Sequence, residues 1–226
     1  MTNTPKQIKP VNIFSKGTIV AIIILTVVGL SILGVFRFTR PIPAVSAEKT
    51  SQNIVLPGVL SVSFPEQGQA AVGTDTYGVI AASQDQTSIP IASVAKTMTA
   101  YMVLKAYPLQ PGEEGQGLKM TAEDVAGYKY AVQNKHSYLP VALGTTLTEK
   151  QLLQGLMLPS GNNIADTLGR WVSGTNEAFI EKMNATAKSL GMNNTHYADA
   201  SGADEATVSN AVDQILIAQA AMQDPV

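Results

Sequence analysis

A run of 20 residues without a charge, from Gly17 to Phe36, constrains the fold of this chain more than any other feature. At about 1.5 Å per residue, a helix of that length spans the roughly 30 Å hydrocarbon core of a bilayer. Three lysines precede the run, whereas Arg37 and Arg40 follow it, and this bias favours a cytoplasmic N-terminus. The sequence therefore predicts cytoplasmic residues 1–16, a single transmembrane anchor at 17–36 and a domain on the extracytoplasmic side of the cell membrane.

A cleavable signal peptide is the alternative to an anchor. Val45-Ser46-Ala47 resembles a small-residue cleavage site, and cleavage there would release a secreted domain. The apolar run is longer than the usual signal-peptide core of about 7 to 15 residues, which favours the anchor. Residues 37–53 contain Pro41 and Pro43 and no hydrophobic periodicity, so we expect a linker there. The folded domain is predicted at 54–226.

The composition of the chain argues against several classes of partner and of site chemistry. The formal net charge is −2, and the lysines and arginines are scattered or flank the apolar run, which argues against a nucleic-acid partner. The chain has no cysteine, which excludes a thiolate nucleophile, a disulfide and a cysteine-based zinc site. Its two histidines, His136 and His196, stand 196 − 136 = 60 positions apart among polar residues, and we expect no metal and no other cofactor.

The periodicity of apolar residues predicts strands in the first part of the domain and helices in the part that follows along the chain. The predicted segments are two or three antiparallel strands within 59–64 and 69–83, helices at about 92–106 and 121–126, and later helices that end before Pro159, near Gly174, near Gly191 and near Met222. Two of the helices begin with a capping-box pattern, Thr121 with Asp124 and Thr148 with Gln151.

Ser93-Val94-Ala95-Lys96 lies at the start of the helix predicted at 92–106. Ser93 falls in the first turn, where free backbone N–H groups and the positive end of the helix dipole suit an oxyanion. Lys96 follows three positions later on the same side, and a lysine whose neutral form is favoured by burial can take the serine proton. The alternative is an N-cap serine followed by a solvated lysine. Because Ser46-Ala47-Glu48-Lys49 in the linker has the same spacing, the spacing alone does not decide.

Ser160-Gly161-Asn162 falls in a tight break between two predicted helices. A serine and an asparagine that project from such a turn suit a proton relay and a hydrogen bond to a peptide carbonyl, and Gly161 permits the turn. The alternative is a plain helix-capping sequence, because Ser, Gly and Asn all favour such breaks.

Residues 89–222 resemble one family along much of their length. The segment 91–100 is similar to the nucleophile segment of the serine D-alanyl-D-alanine carboxypeptidases, the low-molecular-mass penicillin-binding proteins. The segment 152–163 is similar to their second-motif segment, and 179–192 with 195–202 resembles the stretch that follows. The resemblance implies an α/β fold of the α+β type, with a helical cluster packed on an antiparallel sheet, as in penicillin-binding proteins and β-lactamases.

The same resemblance implies an activity and assigns roles. Ser93 is the acylated nucleophile, Lys96 its base and Ser160 the third catalytic residue, while Gly161 and Asn162 contact the substrate. The substrate of the family is the D-Ala-D-Ala end of a peptidoglycan stem peptide, which is cleaved through an acyl-enzyme during cell-wall biogenesis and remodelling. β-Lactams mimic that dipeptide and are the expected inhibitors. No metal takes part.

Two parts of the resemblance are weaker. Ser201 and Gly202 match only a less diagnostic loop. Family members also carry Lys-Thr-Gly on a strand beyond the second motif, and this tripeptide does not occur before Val226. The expectation is therefore an incomplete catalytic domain whose sheet lacks its C-terminal strands, and low stability and activity of this stretch by itself.

Two other functions compete with the carboxypeptidase. A class A β-lactamase-like hydrolase shares the first two motifs, but it needs a glutamate that positions the deacylating water. The chain has no glutamate between Glu181 and Glu205 and no Glu-x-x-Leu-Asn pattern. A non-catalytic, membrane-tethered peptidoglycan-binding protein is the second alternative, and the missing tripeptide favours it.

Overall fold

The computed structural model describes residues 16–38 and 61–225. The chain divides into two compact units, Met1–Gly58 and Val59–Val226, and the described part of the first is helix α1, Lys16–Phe38. Within the described ranges, no helix combines the length and the hydropathy that a bilayer crossing demands, so the predicted anchor is not supported. Residues 39–60 lie outside the described residues. They include the predicted linker from residue 39 and the start of the predicted domain, up to residue 60.

The second unit contains three two-stranded antiparallel sheets in its described part. The pairs are β1 (Ala71–Thr74) with β2 (Gly78–Ala82), β3 (Ile89–Pro90) with β6 (Val208–Ser209), and β4 (Gly117–Lys119) with β5 (Thr146–Thr148). The strands predicted within 69–83 are confirmed, whereas residues 61–64 form no strand. We expected one sheet, but the described strands form three separate pairs. Among the described residues, an isolated antiparallel bridge between His196 and Val208 of β6 adds one further pairing.

Six helices are the main regular structure in the described part of the second unit. They are α2 (Lys96–Ala106), α3 (Ala122–Gln133), α4 (Glu149–Met157), α5 (Asn162–Ser173), α6 (Asn176–Ser189) and α7 (Ala211–Ala221). Both predicted capping boxes are confirmed, since the side chains of Thr121 and Thr148 each accept the N–H of the third helical residue. Helix α3 runs to Gln133 and not to 126, and it packs along α5. Asp124 in its first turn binds Thr167 and Arg170 of that neighbour.

The hydrophobic core surrounds α2, which packs against α4, α5, α6 and α7. The fully buried apolar side chains of these helices include Met98, Val103, Leu152, Leu156, Ile164, Leu168, Phe179, Met183 and Ile217. Burial of each such side chain contributes about 1.5–3 kcal/mol relative to exposure. The first turns of α2 and α5, which carry the two motifs, are thereby held side by side.

Candidate active site

Lys96 occupies the centre of the site. It begins α2, only 2% of the residue is exposed, and its Nζ has three acceptors within hydrogen-bond distance. Nζ donates to Ser93 Oγ at 2.9 Å, to Asn162 Oδ1 at 2.7 Å and to the backbone oxygen of Ser201 at 2.9 Å. An ammonium group has three N–H donors, so each has a partner despite the burial.

Ser93 lies on the surface in front of this lysine. It belongs to a single 3₁₀ turn, Ala92–Ala95, that precedes α2. Ala92 has a φ of 46°, in the left-handed region that few non-glycine residues adopt. The predicted helix start is therefore a tighter turn, and the N–H of Val94, which was expected to be free, donates to the oxygen of Ile91 at 3.2 Å. The turn leaves Ser93 exposed and buries Lys96.

The second motif forms the break between α4 and α5, as predicted, but its glycine has another role. Ser160 carries the left-handed backbone, with a φ of 59°, whereas Gly161 has a φ of −63°. Gly161 lacks a side chain because a Cβ there would lie 2.8 Å from the oxygen of Gly155. Asn162 starts α5 and reaches Lys96.

Ser160 is the predicted site residue that has no hydrogen bond to the others. Its Oγ is buried and has no partner among the described residues. The structure thus joins Ser93, Lys96 and Asn162 directly, and places Ser160 two residues before Asn162 with a free hydroxyl.

Asn163 is a further residue of the site that the motif spacing does not single out. Its side chain pairs with both backbone groups of Leu139, accepting from N–H at 3.0 Å and donating to the oxygen at 2.9 Å. The N–H of Asn162 also donates to the oxygen of Ser137. Residues 137–139 are therefore tied to the start of α5, beside the second motif. The only signal in the sequence is an asparagine directly after Asn162.

Two carboxylates act on the charge of Lys96. Burial lowers the pKa of Lys96 to about 8, although Asp199 and Asp166 oppose that effect. Burial also disfavours the charged form of Asp166 and raises its pKa to about 6, although the attraction of Arg170 opposes this effect. For Asp199, burial acts to raise the pKa, but hydrogen bonds led by those of Ser201 and Thr207 outweigh it, and the pKa lies below its usual value.

A cleft of about 320 Å³ is lined in part by Asn162, Asp166, Asp199 and Ser201, whereas neither Ser93 nor Lys96 borders it. A larger apolar cavity of about 450 Å³, lined in part by Tyr101 and Leu153, is bordered by none of the predicted site residues. An exposed serine that is hydrogen-bonded to a buried lysine with a lowered pKa can support nucleophilic attack by the serine.

Comparison with known proteins identifies a matching family and related proteins. Residues 66–226 match the family described as D-alanyl-D-alanine carboxypeptidase. The chain is 34% identical to a D-alanyl-D-alanine endopeptidase of Escherichia coli over 155 residues, which cover 68% of this chain and 46% of that protein. It is 32% identical to the D-alanyl-D-alanine carboxypeptidase DacB2 of Mycobacterium tuberculosis over 165 residues, which cover 72% of this chain and 52% of that protein.

A solved structure of penicillin binding protein 6B from Escherichia coli has a TM-score of 0.66 with this chain at 22% identity, covering 75% of this chain and 54% of that one. This likeness establishes an α+β fold of the penicillin-binding-protein type. The chain spans about half the length of these two curated relatives.

Proposed function

The chain belongs to the D-alanyl-D-alanine carboxypeptidase family, and on that premise we propose that it is a serine-type peptidase that removes the terminal D-alanine from peptidoglycan stem peptides. The observation that carries the proposal is the hydrogen bond of 2.9 Å between Lys96 Nζ and Ser93 Oγ, made by a lysine that is almost fully buried. Few structural roles require a buried lysine to face an exposed serine hydroxyl.

The mechanism begins with proton transfer from Ser93 Oγ to the neutral amine of Lys96. With a pKa of about 8, roughly one tenth of Lys96 is neutral at pH 7. Ser93 Oγ then bonds to the carbonyl carbon of the D-Ala-D-Ala peptide bond, and the tetrahedral intermediate collapses as the C–N bond breaks. The leaving amine receives the proton, and the resemblance to the family assigns this relay to Ser160. Water then hydrolyses the ester and restores Ser93.

Asn162 has two functions in this scheme. Its Oδ1 accepts from Lys96 and orients the amine, and its Nδ2 remains to donate to a carbonyl of the substrate. Gly161 contributes by letting the turn approach the backbone at 139 and 155. β-Lactams, which mimic the dipeptide, are expected to acylate Ser93 in the same way.

Labelling with a fluorescent penicillin tests this function in the full-length protein. We expect covalent label on Ser93, identified by peptide mass spectrometry, and its loss in Ser93→Ala. Ser88→Ala removes a serine five positions earlier and is the matched control, which should keep the label. Release of D-alanine from an acyl-D-Ala-D-Ala peptide then separates a carboxypeptidase from a penicillin-binding protein that does not hydrolyse.

The two alternatives give different results in the same assay. A class A β-lactamase-like hydrolase would lose the label within seconds as the penicillin turns over. A non-catalytic peptidoglycan-binding protein would show neither label nor D-alanine release in the wild type. Either result would refute the carboxypeptidase proposal.

We also propose that the domain works on the extracytoplasmic side of the cell membrane. The support is the charge-free run at 17–36 with its flanking charges, together with the location of peptidoglycan outside that membrane. Protease added to intact spheroplasts should degrade the domain. Protection from the protease until the cells are lysed would contradict the proposal.

A further inference from the structure

The third acceptor of the Lys96 ammonium is a backbone carbonyl, that of Ser201. It belongs to residues 199–203, here called the 199–203 loop, which lies between α6 and α7. The preceding carbonyl of this loop, that of Ala200, also faces α2 and accepts from the buried hydroxyl of Thr99 at 2.6 Å. Two successive carbonyl groups of the loop are therefore directed at the first turns of α2.

The carboxylate of Asp199 organises the other side of the loop. It accepts the backbone N–H groups of Ser201, Gly202 and Ala203 at 3.1, 3.0 and 2.9 Å. It also accepts the hydroxyl groups of Ser201 and Thr207, both at 2.6 Å. Five donors on one carboxylate fix the loop backbone more tightly than hydrogen bonds between neutral groups would.

The planarity of the peptide group connects the two sides. In a trans peptide the C=O of one residue and the N–H of the next point in opposite directions. The N–H of Gly202 donates to Asp199, so the C=O of Ser201 in the same peptide must point away from Asp199, which is towards Lys96. The position of Asp199 thus sets the direction of the carbonyl that holds the ammonium.

Gly202 links the same loop to the nucleophile. Its φ is 76°, and a Cβ at this position would overlap the carbonyl oxygen of Ala92. Ala92 is the residue with a left-handed backbone directly before Ser93. The loop therefore packs against the turn that presents the serine and also bonds to the lysine behind it.

We propose that Asp199 is a positioning residue of the active site, which aims the Ser201 carbonyl at Lys96 and so fixes the base against Ser93. This inference rests on the proposed function, because it takes Ser93 as nucleophile and Lys96 as base. Asp199 acts through the loop backbone and not by direct contact with the reacting atoms. The pKa of Asp199 lies below its usual value, so the carboxylate is ionised at neutral pH.

Two variants separate the position of this carboxylate from its charge. Asp199→Asn removes the charge and places an amide donor among the N–H groups. Asp199→Glu keeps the charge but moves the carboxylate by one methylene. Glu205→Gln removes a charge from an exposed residue near the same loop and is the matched control. All are measured in the full-length protein, at a temperature where circular dichroism shows the folded state.

The first measurement is the second-order rate constant for labelling of Ser93 by a fluorescent penicillin. Both Asp199 variants should label at least tenfold more slowly, since small displacements of catalytic groups cost one to two orders of magnitude in rate. The control should stay within twofold of the wild type. If the charge alone mattered, Asp199→Glu would label at the wild-type rate.

The second measurement does not depend on peptidase activity. The pH at which Lys96 half-titrates is obtained from its competitive acetylation, quantified by mass spectrometry. In Asp199→Asn the ammonium loses a well-aimed carbonyl and a nearby negative charge, and both losses favour the neutral amine, so the midpoint should fall by at least one pH unit. Asp166, the other carboxylate that acts on Lys96, is unchanged in these variants.

Wild-type labelling rates and an unmoved Lys96 midpoint in both folded Asp199 variants would overturn the inference. If neither variant folds, Thr207→Val decides, because it removes one donor to Asp199 and keeps the charge; it should label at least threefold more slowly. If the wild type is not labelled at Ser93, the proposed function fails, and the Lys96 midpoint in Asp199→Glu, which keeps the charge, still tests the role of the loop: a lower midpoint supports that role and an unmoved one refutes it.

Discussion

At the scale of single residues, the burial of Lys96 has the most direct consequence for reactivity. Its amine can accept the proton of Ser93 only in the neutral form, and burial lowers its pKa to about 8. The labelling rate should therefore rise about tenfold per pH unit below pH 8 and level off above it. Rates of Ser93 acylation by penicillin between pH 6 and 9.5 give this profile.

Asp166→Asn provides the internal control for that profile. The carboxylate of Asp166 raises the pKa of Lys96, so its removal should move the midpoint of the profile to lower pH. A rate that does not change between pH 6 and 9 would exclude Lys96 as the base.

Gly161 and Gly127 predict opposite effects of the same substitution on stability. A Cβ at Gly161 would lie 2.8 Å from the oxygen of Gly155 and 3.2 Å from the nitrogen of Leu139, so Gly161→Ala should lower the free energy of unfolding by about 1–3 kcal/mol. Gly127 lies inside α3, and a Cβ there would lie 3.9 Å from its nearest neighbour, the Cβ of Asn163. Gly127→Ala should therefore raise the free energy of unfolding by about 0.5–1 kcal/mol. Urea unfolding measures both, and effects of equal sign would contradict the packing described for the second motif.

The residues of the site differ in how far the sequence predicts them. Ser93 and Lys96 are three positions apart, so their contact follows from local helical geometry. The carbonyl of Ser201 lies 105 positions from Lys96 and bears no side-chain signature, and the pairing of Asn163 with Leu139 spans 24 positions. Such contacts depend on tertiary packing, which no local pattern encodes. The left-handed backbone at Ser160 instead of Gly161 also follows from packing, because the close approach to Gly155 leaves no room for a side chain at 161.

At the scale of elements, Asp124 fixes α3 on α5. One of its oxygens accepts both the N–H and the hydroxyl of Thr121 at 2.7 Å, and the other accepts from Thr167 at 2.7 Å and Arg170 at 2.6 Å. Asp124→Asn should therefore lower the free energy of unfolding by about 2–4 kcal/mol, since it removes the buried carboxylate that pairs with the guanidinium of Arg170 and leaves only the exposed Glu123 beside it. Thermal or urea unfolding measures the loss.

The adjacent Glu123 is the matched control for this prediction. Its side chain is 69% exposed and contacts the same Arg170 at 3.5 Å, so Glu123→Gln should change the free energy of unfolding by less than about 0.5 kcal/mol. Equal losses in the two variants would mean that the surface charge, and not the buried network, joins the helices.

The starts of two helices could be predicted from the sequence, whereas the end of α3 could not. Thr121 with Asp124 and Thr148 with Gln151 specify helix starts within four residues, and both were predicted correctly. The end of α3 was wrong by seven residues. Gly127 disfavours a helix interior, and what sustains the helix beyond it is its contact with α5.

At the scale of the whole molecule, buried carboxyl groups with opposite pKa shifts shape the pH dependence of stability. The pKa values of Asp124 and Asp199 are lowered in the folded state, so the stability that they contribute is present above the pKa of an unfolded aspartate and is lost as the pH falls below about 4. The pKa values of Asp166 and Glu149 are raised, the former to about 6. Below pH 7, these carboxyl groups together predict that stability is highest in mildly acidic solution.

Asp166 gives the sharpest test of that maximum. The unfolded chain releases this proton near pH 3.8, whereas the folded protein holds it until about pH 6, so the folded state binds more protons between these values. The free energy of unfolding therefore falls as the pH rises from 3.8 to 6, by about 1–3 kcal/mol from this group.

In Asp166→Asn that part of the decline should vanish, and in Asp166→Asn combined with Glu149→Gln the profile from pH 4 to 7 should be flatter still. Urea unfolding at half-unit pH steps measures the slopes, with Glu205→Gln as control for the change in net charge. A slope between pH 4 and 6 that is the same in Asp166→Asn and the wild type would mean that Asp166 ionises alike in the folded and unfolded states, and that the attraction of Arg170 fully offsets the effect of burial.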